Sequence, residues 1–74
     1  MTPSDTIEIH INGRQRPVPE GTTIAAVLVL FELKATTVVV EHNGEILPKD
    51  RFEDVSLCAG DHLEIVRFVG GGSR

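Results

Sequence analysis

Between Thr6 and Asn12 the side chains of Ile7, Ile9 and Ile11 alternate with those of Glu8, His10 and Asn12, the two-residue period of a strand with one face buried. Asn12-Gly13 follows at once. Both residue types tolerate positive φ, so the pair predicts a tight turn and a short return strand through Arg16 and Val18. A hairpin whose isoleucines all point one way needs another element laid across that face, and this requirement constrains the remaining chain more than any single residue does.

Pro19-Glu20-Gly21 stops the return strand, after which Thr22 or Thr23 can cap a helix running to about Glu32. Ile24, Val27, Leu28 and Phe31 fall at the i, i+3, i+4, i+7 spacing that gathers side chains on one helix face. Val29, Leu30 and the β-branched content also permit a strand, but the length and the cap favour the helix. Thr37 to His42 is a second β-branched run, closed by Asn43-Gly44, and Glu45 to Leu47 is a short strand stopped by Pro48. Lys49 to Val55 reads as a connecting turn or helical loop, and Ala59-Gly60-Asp61 turns into a last strand from His62 to Val69. Ile7 to Ile11 and Leu63 to Ile65 are natural neighbours at the sheet centre, with a right-handed crossover if they run parallel. The predicted fold is therefore α+β, a β-grasp with a mixed sheet of four to five strands and one helix across one face. Residues 1–69 form its single domain, with residues 1–5 disordered, and residues 70–74 form a flexible glycine-rich tail.

A chain of 74 residues buries only about 60% of its unfolded surface, which leaves no room for a deep substrate cavity. Its net charge of −4 opposes the phosphate neutralisation that drives nucleic-acid binding, so a basic or neutral protein surface is the better partner. Cys58 is the only cysteine and can supply neither an internal disulfide nor the ligands of an iron–sulfur cluster. The first residues, MTPSD, carry neither a basic segment nor an apolar stretch, which predicts a cytoplasmic protein without export or membrane anchor.

The glycines from Gly70 to Gly72, taken alone, read as a frayed terminus or a linker. No Lys-Ser/Thr pair or helix follows them, so they make no phosphate-cradling loop. In the last strand Leu63 and Ile65 should face the helix, leaving Glu64, Val66 and Phe68 on the other side. Val66 and Phe68 are thus candidate docking contacts, set against plain packing at the rim of the core. Arg67 can meet an acidic group of a partner or remain a solvated charge at the strand edge. His10, His42 and His62 match no ordinary zinc spacing, which predicts no metal site. Cys58 reads as a small packing residue, and Asp50, Glu53 and Asp54 as solvating loop carboxylates.

Several segments, in order, resemble the ThiS family of sulfur carriers in thiamine biosynthesis, which has a ubiquitin-like β-grasp fold. They are the strand ending in Asn12-Gly13, the segment Pro19-Glu20-Gly21-Thr22-Thr23, the string Val40-Glu41-His42-Asn43-Gly44-Glu45-Ile46-Leu47-Pro48, and the stretch from Gly60-Asp61-His62 through Val69-Gly70-Gly71-Gly72. The resemblance implies a protein that catalyses nothing and binds no cofactor itself. Gly72, with Gly71 behind it and Gly70 as flexible tail, would be adenylated by an ATP-consuming ThiF-type enzyme. Sulfur from a cysteine desulfurase or its equivalent would displace AMP, and the resulting thiocarboxylate would serve a thiazole synthase of the ThiG type. Activation supplies the leaving group that a carboxylate lacks, and residues without a Cβ can enter a narrow channel. Extended, Val69 to Gly72 reach at most about 13 to 14 Å.

Two features depart from the family pattern. Members generally stop at the glycines, whereas Ser73 and Arg74 follow here and would have to be removed before Gly72 could offer a carboxylate. His42 stands where relatives usually carry an aliphatic residue. Two other readings stay open: a carrier of the same fold serving molybdopterin or cysteine formation, and a ubiquitin-like protein modifier or interaction module. The string from Asn43 to Pro48 favours thiamine, and the Ser73-Arg74 extension favours the modifier.

Overall fold

The computed structural model describes residues 5–68. The chain order is β1 (Thr6–Ile11), β2 (Arg14–Pro19), α1 (Ile24–Leu30), β3 (Val38–His42), β4 (Glu45–Leu47) and β5 (His62–Arg67), with short 3-10 turns at Ala35–Thr37 and Lys49–Arg51. The strands make one five-stranded sheet in the order β2-β1-β5-β3-β4. β1 and β5 are parallel at its centre and every other pair is antiparallel, so the predicted mixed sheet and central pair are both present. Pro17 and Pro19 lie in β2, at the sheet edge, where a missing N–H interrupts no inner ladder.

Both Asn-Gly pairs make the expected turns, with φ of 52° and 83° at Asn12 and Gly13 and of 52° and 90° at Asn43 and Gly44. The two asparagine side chains also reach across to β5. Asn12 Oδ1 accepts from the Ile65 N–H at 2.7 Å and its Nδ2 donates to the Ile65 carbonyl at 3.2 Å. Asn43 Oδ1 accepts from the His62 N–H at 2.9 Å. Backbone register between β1 and β5 covers only His10 opposite His62 and Ile11 opposite Leu63, so the Asn12 side chain continues a ladder that the turn would otherwise cut short.

Thr23 rather than Thr22 caps α1, its Oγ1 accepting from the Ala26 N–H at 3.1 Å. The helix ends sooner than expected. Glu32 adopts a φ of 59°, and the bonds Glu32 N–H to Val29 O and Leu33 N–H to Leu28 O close a Schellman stop in which a glutamate fills the position usually given to glycine. Phe31 consequently leaves the buried face and is exposed, whereas Ile24, Val27 and Leu28 stay inside.

These three residues pack on Ile9, Val18, Val38, Val40 and Leu63. Two further core residues, Phe52 and Leu57, come from the long connection before β5. That connection also satisfies the helix start: Ile24 N–H donates to Val55 O and Ala25 N–H to Phe52 O, two donors that a helix leaves without internal partners. β5 itself ends at Arg67, one residue before Phe68 and earlier than the predicted Val69, which lies outside the described residues.

Candidate functional site

β5 has a neighbour on each side and runs toward the glycine stretch. Its register with β3 extends from Leu63 opposite His42 to Arg67 opposite Val38, and the Phe68 N–H still donates to Thr37 O at 2.8 Å. The backbone is thus held at the centre of the sheet up to the base of the tail. Gly70, Gly71 and Gly72, the carrier positions predicted from sequence, lie outside the described residues, as do Val69, Ser73 and Arg74.

Only one face of the sheet carries the helix. Leu63 is buried and Ile65 half-buried beneath it, while Glu64 and Val66 point to the open face, as alternation requires. Val66 is 59% exposed and stands opposite Val39; Ile46, registered with Glu41 on that face, is 69% exposed. Phe68, 54% exposed, lies past the strand end and lines a shallow recess with Glu32, Leu33, Lys34 and Thr37. Val66 therefore lies within an open-face apolar patch, and Phe68 at its rim beside the 32–37 segment. Glu41 faces Glu64 across the ladder, a like-charged pair that leaves this face apolar toward the tail and acidic in its middle.

Sequence reasoning missed Ile46. Glu45-Ile46-Leu47 is too short for a convincing period, yet once Leu47 is placed inside, Ile46 must point out.

The histidines do not converge. His10 and His62 stack on the open face with ring centroids 4.3 Å apart and planes 6° from parallel. His42, on the helix side, places Nε2 2.9 Å from Asp61 Oδ2. Among the described residues no group of three or more His, Cys, Asp or Glu could hold a metal. The same Asp61 oxygen accepts from the Cys58 N–H at 2.9 Å, and Asn43 Nδ2 donates to its Oδ1 at 3.3 Å. His42 thus fits its position by pairing with a carboxylate. Cys58 is exposed, contrary to the packing role expected of it, because the neighbouring Leu57 takes the buried position; its backbone N–H makes the useful contact.

Burial raises the Asp61 carboxyl, but hydrogen bonds from His42, Cys58 and Asn43 and the His42 charge outweigh it, leaving Asp61 below its ordinary 3.8. A carboxylate that is more acidic when folded stabilises the fold above its unfolded value, and this contribution disappears as pH falls through the folded one. Asp61→Ala should therefore cost about 2 kcal/mol at pH 7, the loss of several charge-assisted bonds. In thermal melts the gap between variant and wild type should close as pH drops below 3.8; a gap independent of pH would remove the ionised carboxylate from the account.

Comparison with known proteins fits this geometry. The family model described as ThiS family matches residues 9–72. The sulfur carrier protein ThiS of Bacillus subtilis is 42% identical over 65 residues, covering 86% of this chain and 98% of that protein. A thiazole synthase of Paramagnetospirillum magneticum is 40% identical over 67 residues, which are 90% of this chain but only 21% of that protein. The crystal structure of the thiamine biosynthesis protein ThiS from Geobacter metallireducens superposes with a TM-score of 0.77 at 30% identity, covering 89% of this chain and all of that one.

Proposed function

Because the chain belongs to the ThiS family, we propose that it carries sulfur as a thiocarboxylate on Gly72 and delivers it for assembly of the thiazole ring of thiamine. The observation that carries this reading is a central strand held by hydrogen bonds through Phe68, leading into glycines that the family match includes up to residue 72. The chain is a co-substrate rather than an enzyme. A ThiF-type enzyme spends ATP to convert the Gly72 carboxylate into an acyl adenylate, the outer sulfur of a cysteine-derived persulfide displaces AMP to give an acyl disulfide, and a thiol reduces that disulfide to release the thiocarboxylate. The acceptor is a thiazole synthase, a partner supported by the carrier-like segment within proteins of that name.

Ser73 and Arg74 follow Gly72 and lie beyond the family match. Their peptide bond must be hydrolysed before Gly72 offers a carboxylate. Among the described residues no helix is long and apolar enough to cross a membrane, and the cytoplasm, where ATP and cysteine sulfur are both supplied, is the proposed location. Val66 and Phe68 contribute the docking face; Ile46 shares the open face two strands away, in the row of Glu41 and Glu64.

Intact-mass analysis tests the reading. A chain ending at Gly72, incubated with a ThiF-type enzyme, ATP, cysteine, a desulfurase and a thiol reductant, should gain the mass of one sulfur replacing one oxygen. An isopeptide adduct on a lysine would instead identify a protein modifier, and an unchanged mass would remove the carrier assignment.

A further inference from the structure

On the helix side of the sheet, at the β1–β2 turn, α1 stops short. Its seven residues span about 10 Å at 1.5 Å each, whereas a six-residue strand such as β2 runs about 20 Å. The corner left uncovered is a groove of about 490 Å³. Its floor is apolar, made by Ile11, Leu33, Ile65 and Phe31. Its walls are Arg14, Arg16 and Arg67. The register explains their placement: Arg14 pairs with Ile11 and Arg16 with Ile9, so both occupy positions that point toward the core side, and Arg67 follows Ile65 by two.

Three of the chain's seven basic residues thus line one groove of a molecule whose net charge is −4. No carboxylate lines the groove, and among the described residues none forms an ion pair with these arginines. Arg16 lies over the Phe31 ring, its Cζ 5.9 Å from the centroid, which orients one guanidinium along the apolar floor. Planar guanidiniums match carboxylates with two parallel hydrogen bonds. Isoleucine, leucine and phenylalanine between them offer a place for an apolar side chain. A polyphosphate would use the arginines but not the floor.

We propose that this groove docks an acidic, amphipathic segment of the enzyme that receives the tail, with carboxylates on Arg14, Arg16 and Arg67 and an apolar side chain between them. The inference rests on the carrier reading in one respect, that the tail is delivered to a protein. Arg67 precedes the tail by a few residues, so a segment seated here sits beside the point of delivery. The acidic pair Glu41 and Glu64 lies on the opposite face, and charges of opposite sign on the two faces orient the carrier as it approaches.

Two experiments decide it. In NMR titrations of the ¹⁵N-labelled chain, a peptide of alternating Glu and Leu should shift the amides of Ile11 to Arg16, Phe31 to Leu33 and Ile65 to Arg67. The shifts should vanish in Arg14→Glu/Arg16→Glu, and the Gln-for-Glu peptide should bind about ten-fold more weakly. Equal binding of the two peptides, or stronger shifts of the same amides by ATP, would overturn the proposal. With a ThiF-type enzyme and chains ending at Gly72, Arg14→Glu/Arg16→Glu should raise KM for the carrier about ten-fold and leave kcat within about two-fold, the signature of lost binding rather than lost chemistry. Unchanged KM with normal sulfur loading overturns the groove alone. Failure of the chain ending at Gly72, with both arginines in place, to load overturns the carrier reading, and the peptide titration still decides what the groove accepts.

Discussion

Deleting Gly71 and Gly72 from a chain ending at Gly72 should abolish sulfur loading entirely while changing stability by less than about 0.5 kcal/mol, because the described core and ladder bonds all precede them. Among the described residues every buried apolar residue lies between Ile9 and Leu63, and the last ladder bond described ends at Phe68, so the described core and sheet are complete without either glycine. The chemistry is far less forgiving. Two extended residues are worth about 7 Å of reach, and acyl transfer needs its reacting atoms within about 3 to 3.5 Å. A carboxylate left at Gly70 would stop short of the activating ATP while the body of the carrier is docked. Intact mass after incubation reads the loading and a thermal melt reads the fold. Sulfur retained by the shortened chain would take Gly71 and Gly72 out of the mechanism.

Elements with a strong local period were the legible ones. Ile7, Ile9 and Ile11 identify both the strand and its buried face, and the two Asn-Gly pairs identify both hairpins, because a turn with positive φ at two positions admits few residue types. Features that depend on distant partners were not legible. Nothing near Glu32 marks it as a helix stop, since its positive φ is imposed by a Schellman bond pattern usually signalled by glycine. Phe52 and Leu57 look like loop residues because they are buried by tertiary packing under α1 rather than by any period of their own. The arginine groove escaped notice for a related reason. Arg14 and Arg16 read as polar residues of an edge strand until the register puts them on the core side, past the end of a helix too short to cover them. The second task of Asn12 and Asn43, clamping β5, is likewise invisible to a reading that stops at turn type.

Replacing Val66 and Phe68 together by aspartate should weaken binding to a partner enzyme by about a hundred-fold, since an apolar hot spot is lost and charge is buried in its place. Both side chains are more than half exposed, at 59% and 54%, so the fold should tolerate the exchange, and the Phe68 bond to Thr37 uses only the backbone. The new carboxylates would also join Glu64 and Glu41 on or beside the same face, adding repulsion toward an acidic partner surface. Calorimetric titration against the activating enzyme and against thiazole synthase, taken separately, tells whether one face serves both. Raising the carrier concentration should restore loading, because docking concentrates the tail at the active site and takes no part in bond making. Full affinity in the double variant would move the interface elsewhere; lost affinity that no concentration repairs would mean that these side chains also steer the tail.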